Sequence, residues 1–131
     1  MEVNDQEMIK SVILSIHQVA NDHPEMLDVV LTDTVLIWAI NDLDQKMQQI
    51  SKNLISEKEK TNFENSSSKE FNEDLIVLNE RTLLSYYKLY KRYEQIMLSR
   101  NIDIEIQTDI TIVENLLPED GLLEITAQRN K

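Results

Sequence analysis

Two histidines, four clustered tyrosines and many carboxylates are the side chains here with chemistry to offer. His17 and His23, with Asp22 and Glu25 nearby, are residue types that ligate metal. They fall on opposite sides of an expected helix break, which favours surface or capping roles over a shared ion. Acid–base work by paired carboxylates requires a pocket, and no local pattern suggests one. Ser85 has no neighbouring base to activate it. There is no glycine-rich phosphate loop and no metalloprotease histidine pair. We therefore assign no catalytic residue, no metal ligand and no cofactor, and read the chain as a non-enzyme.

The sharpest constellation is Tyr86, Tyr87, Tyr90 and Tyr93, interleaved with Lys88, Lys91 and Arg92. Aromatics beside cations can stack on single-stranded nucleic acid. The net charge of −11 argues against that, because phosphates would be repelled. It also argues against anionic lipid. Tyrosine suits interfaces that are not fully dry. Trp38, the only tryptophan, fits either a core or an interface anchor. Charge is uneven along the chain. Residues 1–50 hold nine acids and two bases, and residues 81–100 hold five bases and one acid. The basic segment is expected to face either the acidic first half or an acidic partner.

The elements that position these residues follow from composition. Among 131 residues there are one glycine and two prolines, too few for strand-rich folds and their turns. An all-α chain is expected: two long coiled-coil-type helices plus a shorter N-terminal helix, extended rather than globular. Asn4 and Glu7 mark the start of the first helix, along which Ile9, Val12, Ile13, Ile16, Val19 and Ala20 recur. Pro24 starts the second, capped by Asp22 or His23 and ending near Ser56. Its heptad stripe is Leu36, Ile40, Leu43, Met47, Ile50 and Leu54. Extended backwards, the stripe meets Asp33, a polar intruder unless the seam begins near Val35. Val29–Ile40 is apolar on more than one face and is expected to be covered on several sides.

The expected organisation is residues 4–56 as the first two helices, 57–69 as a polar linker, 70–100 as the second coiled-coil helix and 101–131 as an acidic and apolar tail. The second stripe is Ile76, Leu83, Tyr86, Tyr90, Tyr93 and Met97, with Asn79 at one seam position. Asn65-Ser66-Ser67 matches a glycosylation acceptor but has no secretory signal to give it meaning. Ser67 with Glu70 resembles an acidophilic kinase site. In the tail, Ile102, Ile104 and Ile106 alternate with acids, as in an extended segment. Ile110–Leu117 allows one or two helical turns before Pro118.

Apolar seams on long helices need cover. The partner-binding residues are accordingly expected to be Trp38, Ile40, Leu43, Met47, Ile50, Leu54, Leu83, Tyr86, Tyr90, Tyr93 and Met97, meeting other coiled-coil subunits. The longest apolar run, Val35–Ile40, is far short of the roughly 20 residues that span a bilayer. With no cysteine and no signal pattern, the expected location is cytoplasmic.

The run Leu84–Gln95, with Ser85-Tyr86-Tyr87, then Leu89-Tyr90-Lys91, then Glu94, resembles a family pattern. It is similar to the late coiled-coil segment of the Bli-type subunit of the yeast biogenesis of lysosome-related organelles complex 1 (BLOC-1). Trp38, Leu43 and Lys46 resemble a second spacing in that family, and about a third of the chain is covered. The linker around Ser66–Ser68 and the tail depart from the pattern. The resemblance implies a non-catalytic helical subunit of an elongated complex, peripheral on endosomes, that serves cargo sorting and maturation. The alternatives are a subunit of another elongated fungal assembly, such as a kinetochore or tether, and a small acidic helical inhibitor or regulator.

Overall fold

The computed structural model describes residues 5–61 and 66–118, with side chains for 5–60 and 73–118. Five helices account for most of them: α1 Asp5–Asp22, α2 Leu27–Val30, α3 Asp33–Thr61, α4 Ser66–Ser99 and α5 Ile110–Leu116. A 3₁₀ turn, Pro24–Met26, precedes α2. No strand occurs among the described residues. The all-α expectation holds, with five helices instead of three. Asn4, the expected cap, Asn65 of the glycosylation match and residues 119–131 of the expected tail lie outside the described residues.

Two compact units divide the chain. The first comprises residues up to Asp44 with Leu89–Ile106, and the second Gln45–Lys88 with the residues from Gln107 onward. In the first unit α1 buries Ile13, Ile16, His17 and Ala20, one stripe at helical spacing. No basic residue stands in the last turn of α1. Arg92 from α4 supplies the missing cation, donating from Nη1 to the Ala20 carbonyl at 2.8 Å.

The expected continuous helix from Pro24 to Ser56 is broken at Leu31 and Thr32. Val29, Val30 and Thr32 are β-branched and weak helix formers. Leu31 is extended, with φ −92° and ψ 111°. The Asp28 carbonyl, which would bond Thr32 N–H in an unbroken helix, accepts instead from Arg100 Nη2 at 2.9 Å. Thr32 then caps α3: its Oγ1 accepts from Val35 N–H at 3.2 Å. Asp33 therefore opens α3 as an exposed residue and is no intruder in a seam. His23 makes no side-chain cap bond.

α4 ends in a Schellman motif. Asn101 adopts φ 57°, Ile102 N–H reaches Met97 O at 2.9 Å, and Asn101 N–H reaches Leu98 O at 3.2 Å. Asparagine tolerates this left-handed conformation better than most residues. Beyond it, Ile102, Ile104 and Ile106 are half-buried and alternate with exposed Asp103 and Glu105. The alternation matches the extended segment expected there, without strand pairing.

In the second unit the end of α3 is tied to α4 by polar bonds. Asn79 Nδ2 donates to Glu57 at 3.0 Å, and Lys58 pairs with Glu80 at 3.6 Å. α3 reaches Thr61 and α4 begins at Ser66, so helix covers most of the stretch read as a linker. Asp109 caps α5, its carboxylate accepting from Thr111 and Ile112 N–H. α5 buries Val113 and Leu116.

Candidate functional site

The two heptad stripes are the natural site to follow. Most of their residues are inside the chain's own core. Ile40, Leu43, Met47, Leu54, Leu83, Tyr90, Tyr93 and Met97 are buried, and Trp38, Ile50 and Tyr86 are half-buried. Leu36 and Ala39, one before the other on α3, are fully buried with them.

The register differs from the expected one in two places. On α3 the buried face passes through Ser51 instead of Ile50. Leu54 further on is again fully buried, so the face widens to take in Ser51 and does not leave the heptad positions. On α4 Tyr87, placed beside the seam by sequence, is fully buried, while Tyr86 stays at the margin. Lys46 Nζ lies 5.6 Å from the Tyr86 ring centroid, a cation–π contact at that margin.

Each buried tyrosine finds its hydroxyl partner within the chain. In the first unit Tyr93 OH lies 2.6 Å from His17 Nδ1, and His17 Nε2 lies 3.0 Å from Asp42 Oδ2. A carboxylate only accepts, so Nε2 carries a proton and donates to Asp42. In the neutral ring Nδ1 then accepts from Tyr93 O–H, and one tautomer satisfies both bonds. Tyr90 OH donates to Glu94 at 3.1 Å, and Lys91 Nζ pairs with the same carboxylate at 3.1 Å. In the second unit Tyr87 OH donates to Glu114 on α5 at 2.6 Å.

Burial, then the neighbouring Glu94 carboxylate, pushes the Tyr90 hydroxyl up to about 12. Burial and then Asp42 raise Tyr93 as well, partly offset by Arg92. These are signs of tyrosines kept neutral as core hydrogen-bond donors. An Asp–His–Tyr chain has the connectivity of an activated nucleophile, but Tyr93 is fully buried and offers no face to a substrate.

His17 thus takes neither the surface nor the capping role expected from sequence. The signal that finds it is its position in the 13-16-17-20 stripe of α1. His23 is exposed and stands 3.5 Å from Glu25. No group of three metal-ligating side chains occurs among the described residues. Nor is any helix there long and apolar enough to cross a membrane.

The basic segment is largely engaged within the chain. Arg92 caps α1, Lys91 meets Glu94, and Arg100 bridges Asp28 and Asp33 at 3.0 and 2.9 Å. Several large apolar side chains stand outside the core. Met26, Val29 and Val30 stand together in sequence in the first unit, and Val77 and Leu78 in the second. Single exposed apolar residues are ordinary, whereas Met26, Val29 and Val30, at i, i+3 and i+4, have the spacing of one helical face.

These features define an all-α protein with buried tyrosines in each of its two units. No protein-family model, no curated protein and no solved structure matches the chain.

Proposed function

We propose that this chain is a non-catalytic, coiled-coil-type helical subunit of a cytosolic multiprotein complex. The observation that carries the reading is the adjacent exposed apolar groups, Met26 with Val29 and Val30, and Val77 with Leu78, left outside a filled core. In this reading the partner contacts are the outer faces, and the two heptad stripes serve first to hold the chain itself together. The resemblance carried by Leu84–Gln95 makes the endosomal BLOC-1-like complex the named candidate, with a role in cargo sorting and maturation. Several residues of that run, among them Leu84, Tyr87, Leu89 and Tyr90, are core residues here, so the shared pattern bears on fold at least as much as on partner choice.

A second reading is a small acidic helical inhibitor or regulator. It is favoured by the net charge of −11 and by seams that the chain fills by itself. Mass spectrometry of a tagged chain recovered from its own cells separates the readings. Stoichiometric recovery of endosomal coiled-coil subunits supports the named complex, and recovery of kinetochore or tether subunits replaces it with another assembly. A single enzyme or regulator as partner favours the inhibitor. A chain that sediments as a lone monomer in lysate refutes the subunit reading.

A further inference from the structure

Between Lys10 and Lys46 the sequence holds no lysine or arginine and six carboxylates. Asp42 is bonded to His17, and Asp44 is buried. The other four, Asp22, Glu25, Asp28 and Asp33, lie on or beside the connection between α1 and α3. The same short connection turns three large apolar side chains outward. Val29 is 84% exposed, Met26 49% and Val30 42%. Leu27 and Leu31 point the other way and are buried, so the segment is anchored at both ends of α2. Arg100 fastens it further through Asp28 and Asp33. The result is a fixed apolar knuckle ringed by exposed carboxylates, all within the first unit.

We propose that this connection, Pro24 to Asp33, is a docking surface for a basic amphipathic helix of a partner protein. Val29, Met26 and Val30 meet the apolar side of that helix, and Asp22, Glu25 and the exposed faces of Asp28 and Asp33, four carboxylates against the single Arg100 that the last two hold, meet its lysines or arginines. Charge selects this occupant over the others. Anionic lipid and nucleic acid are repelled by the carboxylates. A second copy in a two-fold contact would set the same carboxylates against each other. The inference rests on the subunit reading and specifies the partner's chemistry.

The test uses the full chain and a synthetic amphipathic helix of leucine and lysine, with a leucine–glutamate helix as control. Binding is followed by amide chemical shifts. The lysine helix is expected to shift resonances of Asp22 to Asp33 selectively, with an affinity that falls as salt is raised. Val29→Asp is expected to weaken binding by about tenfold or more, and Glu25→Lys by a smaller factor. Both positions are exposed, and circular dichroism checks that the fold is kept. Shifts spread evenly over the acidic surface, equal binding of the glutamate helix, or unchanged affinity in Val29→Asp overturn the proposal. So does concentration-dependent self-association that Val29→Asp abolishes, which would assign the knuckle to a second copy. Recovery from cells is a separate readout. A Val29→Asp chain that keeps its whole complex overturns this surface while leaving the subunit reading intact. A wild-type chain with no complex overturns the subunit reading, whatever the peptide does.

Discussion

Tyr93→Phe tests the His17 network most directly. The substitution keeps the buried ring and removes only the hydroxyl 2.6 Å from His17 Nδ1. Both residues are buried, so water cannot readily replace the lost donor. A net hydrogen bond is worth about 0.5–1.5 kcal/mol, and a stranded buried acceptor costs about 1–3 kcal/mol. We expect a destabilisation of about 1–3 kcal/mol, read as a fall in denaturation midpoint at unchanged m. The corresponding fall in Tm is on the order of 5–10 °C for a chain of this size. The companion variants His17→Leu and His17→Leu/Tyr93→Phe complete a cycle. Replacing both partners with apolar groups strands neither, so the double variant should lose less than the two single losses combined, by about 1 kcal/mol. Asp42 loses one bond in the His17 variants, but its side chain is 24% exposed and can be hydrated. Additivity within about 0.5 kcal/mol, or a Tyr93→Phe midpoint equal to wild type, would refute the claim that this contact is a buried, energetically coupled bond.

Other outcomes follow from the same geometry. Ser51 Oγ is buried without a hydrogen-bond partner, so Ser51→Ala should leave chemical-denaturation stability unchanged or raise it by up to about 1 kcal/mol. Asp109→Ala removes the cap of α5 and should cost about 1 kcal/mol, with amide exchange fastest at Ile110–Leu116. Because Tyr90 is held up at about 12, the unfolded chain loses that proton first as pH rises above about 10. The contribution of Tyr90 to stability should be fully present at about pH 10 and be lost between about 10 and 12, followed by far-ultraviolet circular dichroism as the difference between wild type and Tyr90→Phe. A rise across that window would contradict the assignment. Tyr90→Asp places a charge in the chain's own core and should unfold it or cost about 3 kcal/mol or more. Loss of a partner in that variant must therefore be read beside its circular dichroism spectrum.

Much of the helical content was legible because few residues here can end a helix. Pro24 marked a break, Asn101 ended α4 where the apolar period changed, and the isoleucine alternation after it survived as graded burial. The break at Leu31–Thr32 was not legible. The β-branched residues only weaken the helix there, and the freed Asp28 carbonyl is taken up by Arg100, distant in sequence. The α3 stripe matches the buried face at Leu36, Ile40, Leu43, Met47 and Leu54 and misses buried Ser51, a polar residue that an apolar template does not select. Tyr86 and Tyr87 are neighbours of like chemistry, and only packing decided which one turned inward.

The sequence by itself determined an acidic, glycine-poor, all-α chain with two apolar stripes, because periodicity and the scarcity of turn residues are local properties. Tertiary structure decided what covers those stripes. Apolar spacing states that a face must be buried and is silent on whether the cover comes from the same chain or another. Here the chain covers most of both stripes, places His17 between Tyr93 and Asp42, and engages Arg92 and Arg100 on its own first half. Among the described residues the large apolar side chains left exposed include those of the short α2 connection. Their exposure was hidden in sequence because, unlike periodicity, it depends on every other segment of the fold.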